Sequence, residues 1–277
     1  MIDQTSLALW AQQAPWLEPA YVEQDLILSR ALIDIFNHEM LANKLAFRGG
    51  TALQKLFYEN PTRYSEDLDF VQIEPGPIGP IFDGLREVLE PWLGKSNKKL
   101  GRGPATLLYR FQSAGPGSLN MKLKIEINTR EHFTVLRLKT VPFAITSPWY
   151  TGETSIKTYA IEELLGTKLR ALFQRRKGRD LYDLAVALRQ LPIDIKKLIA
   201  CFRHYMGEMG IKVSRAQFEQ NLWLKKNSEP FREDISRLHA SGNDLHRFEE
   251  DFDLVWKSII AKLPGESWNN VESINEE

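Results

Sequence analysis

Asp67 and Asp69 alternate within a stretch that otherwise reads as a strand, Asp67-Leu68-Asp69-Phe70-Val71. A strand sends residues i and i+2 to one face, so the two carboxylates share a side and Leu68 and Phe70 share the other. Aspartate is depleted in strand interiors, and neighbouring carboxylates repel unless a cation lies between them. The pair therefore demands a strand that is apolar behind, open in front, and supplied with positive charge on the open side. A divalent ion is the usual supply, since Mg²⁺ binds through one or two carboxylates together with substrate phosphates.

Upstream lies Gly49-Gly50-Thr51, between a short apolar strand (Leu45-Ala46-Phe47) and a helix expected from Ala52 to about Tyr58. Glycines let backbone N–H groups approach an anion, and a helix N-terminus attracts one. Thr51 is expected to cap that helix. Carboxylates behind a glycine-rich turn point to metal-dependent chemistry on a nucleotide.

The remaining pattern is alternating, then helical. A helix is expected over 20–42, a strand from Asp67 to Ile73, a helix over 81–93 and a Gly/Lys-rich loop over 94–104. Strands over 107–111 and 119–128 are joined by Ala114-Gly115-Pro116-Gly117-Ser118, a hairpin signal. In the second of these strands Met121, Leu123, Ile125 and Ile127 face one way. Lys122, Lys124, Glu126 and Asn128 face the other, so Glu126 is a candidate third metal carboxylate if the two polar strands are neighbours. Lys122 or Lys124 could equally pair with it.

After Pro148 the periodicity turns helical, with helices expected over 160–176, 180–191, 194–209, 214–226, 230–240 and 244–262. This divides the chain into an α+β part, residues 1–150, and a helical part, residues 151–277. Lys168 falls on the apolar stripe Leu164, Leu165, Leu169, Leu172 and Phe173, so it must reach the edge or meet an anion. A triphosphate would serve, and so would a buried acid. Asp180 and Asp183 open the following helix. They are candidates for holding Lys168 or for accepting the proton of an attacking hydroxyl, and helix capping would also account for both.

Composition excludes several classes. The chain has 277 residues, is 43% hydrophobic and 26% charged, and carries no net charge, so a bulk positive field is absent. One cysteine, Cys201, rules out an internal disulfide framework and fits a reducing cytoplasm. No apolar run approaches the roughly 20 residues that span a bilayer, and the N-terminus does not read as a secretory leader. Charge is nonetheless segregated. Residues 91–124 hold Lys95, Lys98, Lys99, Arg102, Arg110, Lys122 and Lys124 with no acid, and 157–179 are also basic, whereas the C-terminus is acidic. The five histidines have no metal-ligand spacing.

Four blocks in order carry a resemblance. They are Phe47-Arg48-Gly49-Gly50-Thr51-Ala52-Leu53, Arg63-Tyr64-Ser65-Glu66-Asp67-Leu68-Asp69, Glu163-Leu164-Leu165-Gly166-Thr167-Lys168-Leu169-Arg170-Ala171-Leu172 and Arg179-Asp180-Leu181-Tyr182-Asp183-Leu184. The set resembles the AbiEii/AbiGii-type nucleotidyltransferase toxins of the DNA polymerase β-like superfamily. The resemblance implies an α+β, bilobed protein, with a nucleotidyltransferase core on a small mixed β-sheet and a helical C-terminal domain. It implies Mg²⁺ with NTP as substrate, and a place in a bacterial toxin–antitoxin or phage-defence (abortive-infection) pair with a cognate antitoxin.

Relatives of that kind add nucleotides to the tRNA 3′ end and block translation, so an RNA acceptor is expected. By motif position Asp67 and Asp69 are the metal ligands, and Gly49, Gly50, Thr51 and Ser65 meet the nucleotide. Lys168 and Asp180 are the later motif lysine and aspartate, with Asp183 competing. Thr51 stands where the superfamily usually has serine, and Asp-x-Asp follows at longer range than usual. Two other readings are a nucleotidyltransferase acting on a protein or small-molecule hydroxyl, and a non-catalytic partner-binding module.

Overall fold

The computed structural model describes residues 2–101, 103–114, 119–235 and 247–269. Arg102, the hairpin tip 115–118, the later part of the helix expected over 230–240, the start of the one over 244–262 and the last residues lie outside these. The chain divides into two compact units, one running through Ala160 and the other starting at Ile161.

The first unit is built on a mixed sheet of seven strands among the described residues. They are β1 (Leu45–Arg48), β2 (Asp67–Gln72), β3 (Ser96–Lys99), β4 (Ala105–Gln112), β5 (Asn120–Asn128), β6 (Leu138–Thr146) and β7 (Thr151–Tyr159), in the order β3-β4-β5-β2-β1-β7-β6. β2 runs antiparallel to β1 and parallel to β5. The helices are α1 (Gln4–Trp10), α2 (Pro19–Asn37), α3 (Glu39–Lys44), α4 (Gly49–Leu56) and α5 (Gly79–Leu93).

α2 is the core helix. Leu26, Leu28, Ala31, Leu32, Ile33 and Ile35 are wholly buried, as expected of a helix enclosed on most sides. One of its buried polar groups links three helices. Asp25 accepts from Trp10 Nε1 at 2.9 Å and pairs with Lys55 at 2.6 Å, which ties α1, α2 and α4 together. The single helix expected over 20–42 is instead two. The chain bends at His38, whose ring Nδ1 accepts from the Leu41 backbone N–H to cap α3.

Two further expectations are corrected. The loop expected over 94–104 contains β3, a short edge strand whose lysines discourage pairing with a further strand. Residues 151–159, assigned from sequence to the helical part, form β7 of the sheet, so the junction falls at 160 rather than 150. β7 joins β1 in parallel, and Thr158 Oγ1 donates to the Phe47 carbonyl at 2.7 Å.

The second unit is helical among its described residues, with α6 (Ile161–Gln174), α7 (Gly178–Gln190), α8 (Ile195–Gly207), α9 (Arg215–Lys226), α10 (Glu229–Glu233) and α11 (Phe248–Ser258). α6 and α8 touch at Gly166, where a Cβ would lie 2.7 Å from Cys201 Cβ and 3.1 Å from the Leu198 carbonyl oxygen. Burial pushes the Cys201 thiol up to about 12, so it is an inert core group. No helix among the described residues is long and apolar enough to cross a membrane.

Candidate active site

The front of β2 is set by its register. Leu68 and Phe70 are buried behind the sheet, while Asp67 and Asp69 are half-exposed in front. Asp69 lies opposite Arg48 of β1 on one side and Glu126 of β5 on the other, and Asp67 lies opposite Lys124. The strands carrying Asp67, Asp69 and Glu126 are therefore neighbours, as the alternation allowed.

Lys124 bridges two of these acids. Its Nζ is 2.8 Å from Asp67 Oδ2 and 3.4 Å from Glu126 Oε2. Pairing of Glu126 with a lysine, one of the two arrangements open from sequence, is the one observed. Among the described residues no three of His, Cys, Asp and Glu form a group that could hold a metal ion, and Glu126, opposite Asp69, is paired with Lys124. Arg48 Nη1 pairs with Glu131 Oε2 at 2.7 Å.

Burial raises Asp67 above the ordinary carboxylate range, against the pull of Lys124. Burial would lower Lys124, but the contacts with Asp67 and Glu126 outweigh it and raise this group. The first direction weakens the ion pair and the second strengthens it. The lysine direction governs, because an ammonium still touched by water and flanked by acids keeps its proton. The rise at Asp67 records a burial cost that further positive charge would offset.

The glycine turn abuts the second carboxylate. Gly49 has φ +84°, and a Cβ there would sit 2.3 Å from Asp69 Oδ2. Only glycine satisfies both the backbone conformation and the close approach. At Gly50 a Cβ would meet the Arg63 guanidinium at 2.2 Å. α4 begins at Gly49, so Thr51 is inside the first turn and is not the cap expected from sequence. Its buried hydroxyl donates to the Asp67 carbonyl at 2.6 Å and lies 2.7 Å from Ser65 Oγ. Since the Thr51 proton is used on the carbonyl, Ser65 donates to Thr51. Thr51 thus fastens the start of α4 to the start of β2.

In the second unit Lys168 meets buried acids. Its Nζ is 3.0 Å from Asp180 Oδ1 and 2.8 Å from Asp183 Oδ2, and both aspartate side chains are fully buried. Arg175 completes the group, with Nε 2.7 Å from Asp180 Oδ2 and Nη2 2.9 Å from Oδ1. Burial alone would raise Asp180, but Lys168 and Arg175 hold it below the usual range. The buried-acid reading of Lys168 is the arrangement present. Sequence reasoning named Lys124 as a partner for Glu126 but not its contact with Asp67, and it gave Arg63 and Arg175 no role.

A family described as nucleotidyl transferase AbiEii toxin, type IV toxin–antitoxin system, matches residues 30–266. The chain belongs to the AbiEii toxin family. It is a nucleotidyltransferase of the toxin–antitoxin kind. Two solved structures resemble this AbiEii-family chain over most of its length. MenT4, a nucleotidyltransferase toxin of Mycobacterium tuberculosis H37Rv, is 20% identical with a TM-score of 0.65, over 94% of this chain and 90% of that one. A crystal structure of a putative nucleotidyltransferase from H. pylori is 17% identical with a TM-score of 0.53, over 89% and 97%. At these identities the likeness establishes the α+β nucleotidyltransferase fold. No curated protein sequence matches the chain.

Proposed function

We propose that this AbiEii-family chain is a cytoplasmic toxin that transfers nucleotides from an NTP to an RNA acceptor, the 3′ end of tRNA, and thereby blocks translation under the control of an antitoxin. The observation that carries the reading is the joint position of Asp69 and Gly49. A half-buried carboxylate pair stands directly against a glycine turn that opens a helix. Carboxylates suit a hard cation, and helix-terminal amides suit phosphate.

The donor set of Asp67 and Asp69 fits Mg²⁺, since both are oxygen ligands on one half-exposed strand face. Bound there, such an ion supplies Lewis-acid stabilisation of phosphate charge. The chain's own residues do the rest. The amides at Gly49 and Gly50, with Ser65 beside them, receive the triphosphate. Thr51 holds Asp67 in place through the Asp67 carbonyl. A bond forms from the acceptor hydroxyl oxygen to the α-phosphorus, the bond to pyrophosphate breaks, and the hydroxyl proton passes to solvent. Lys168 is left as the cation that joins Asp180 and Asp183 within the second unit.

Labelled NTPs with total tRNA and Mg²⁺ test the proposal. Label on RNA with the native protein, lost in Asp69→Ala, is the expected result. Label on protein or on a small molecule would move the acceptor elsewhere. Unlabelled RNA under every NTP and metal tried would overturn the reading.

A further inference from the structure

The basic stretch 91–124 becomes a specific surface once the strands are paired. Register places Lys124 opposite Leu108, Lys122 opposite Arg110 and Glu126 opposite Thr106. The next pairing places Thr106 opposite Lys99 and Leu108 opposite Asn97. Residues directly opposite share a face, so Lys99, Arg110, Lys122 and Lys124 all lie on the face that bears Asp67 and Asp69. The row from Asp69 through Glu126 and Thr106 to Lys99 crosses three strand spacings, about 14 Å. Lys99, Arg110 and Lys122 are exposed.

This face carries a charge conflict. Arg110 and Lys122 stand directly across from one another. Like charges so placed destabilise a sheet. Among the described residues no carboxylate pairs with Lys99, Arg110 or Lys122. A local rule broken on the face of a candidate site points to function, because a polyanion laid there would relieve the repulsion. Four cations of the other basic stretch contrast with these. Lys168 and Arg175 are taken up by Asp180 and Asp183, and Lys177 and Arg179 by Asp234.

We infer that Lys99, Arg110 and Lys122 form a track across β3, β4 and β5 that carries the phosphate backbone of the acceptor RNA to the Asp67–Asp69 carboxylates. The inference rests on the RNA-acceptor reading above and adds the binding surface to it. Counterions released from the RNA give such a contact a steep salt dependence.

The test compares the native protein with Lys99→Gln, Arg110→Gln and Lys122→Gln, singly and combined. It measures binding of fluorescent tRNA across a salt series, NTP binding, nucleotide transfer and melting temperature. The combined variant is expected to bind tRNA at least 10-fold more weakly. Its salt slope should fall by about two for three lost cations, at about 0.7 per single-strand phosphate contact. NTP binding is expected to stay unchanged. The Lys122→Gln protein should melt no lower than the native one, since a repulsion has been removed. Unchanged tRNA affinity and salt slope in the folded triple variant would overturn the track, as would strip variants that lose only the binding of an acidic protein. If the native protein binds tRNA through the strip yet labels none, the acceptor reading fails and the surface stands.

Discussion

Lys124 Nζ reaches from β5 to Asp67 Oδ2 on the parallel strand beside it, at 2.8 Å. The lysine takes up an oxygen of one of the two carboxylates proposed as metal ligands, so the two are expected to compete. Lys124→Met is expected to lower the divalent-ion concentration that half-saturates the protein by about tenfold, equivalent to about 1.4 kcal/mol. The same variant should melt lower than the native protein when no metal is added. Thermal melting across a Mg²⁺ or Mn²⁺ series reads both effects, and an unchanged metal midpoint would show that the lysine does not compete.

Gly49→Ala should be damaging out of proportion to its size. The added Cβ meets Asp69 Oδ2, and φ +84° is strained for alanine. Such strain costs about 1–3 kcal/mol. Denaturant unfolding should show that loss, and transfer activity should fall at least 100-fold because the carboxylate must move. A variant of native stability and activity would refute the close approach.

Thr51 tests whether a buried hydroxyl can serve the site from behind. Thr51→Val keeps the shape but leaves the Asp67 carbonyl and the Ser65 hydroxyl without their partner. An unmet buried group costs about 1–3 kcal/mol. Thr51→Ser retains the hydroxyl and should recover most of the stability and activity. Equal behaviour of the two variants would remove the hydroxyl from the account.

Lys168→Met leaves Asp180 and Asp183 buried with one cation fewer. Breaking a buried pair from one side costs about 3–5 kcal/mol, so the variant should be largely unfolded or melt far lower. Lys168→Arg keeps the charge. If it folds but does not transfer, the lysine has a chemical role beyond holding the helices together.

Acid should unfold the second unit over a defined range. Burial would raise Asp234, but Arg179 and Lys177 prevail and hold it down to about 2. A carboxyl whose folded value lies below its unfolded value of 3.8 contributes stability at higher pH. That stability is lost as pH falls from about 4 through about 2. Asp180, also lowered, adds in the same sense. Urea midpoints measured over this range should fall steeply in the native protein and less steeply in Asp234→Asn. Asp251, raised by burial, has the opposite sign and only softens the trend.

The sequence disclosed what strict alternation or strong apolar periodicity marks. β2 and β5 were readable because Leu68, Phe70, Leu123, Ile125 and Ile127 alternate with polar residues, and most helices because their buried stripes are long. β7 was missed because Thr151-Gly152-Glu153-Thr154-Ser155 has almost no apolar face. β3 was missed because it is a polar edge strand of four residues. The break of α2 at His38 depends on one ring nitrogen meeting one amide, which no periodicity reports. At the site, residue types were legible and partners were not. Lys124, Thr51 and Lys168 were all visible, but which acid or carbonyl each would meet depends on strand register and helix packing.

Glycine at position 49 leaves the gene an unguarded point. Every single-base change in a glycine codon that still encodes an amino acid introduces a side chain or keeps glycine. Each new side chain would push against the neighbouring carboxylate. Where a toxin gene is carried without its antidote, selection for full-length but harmless copies is expected to strike this codon.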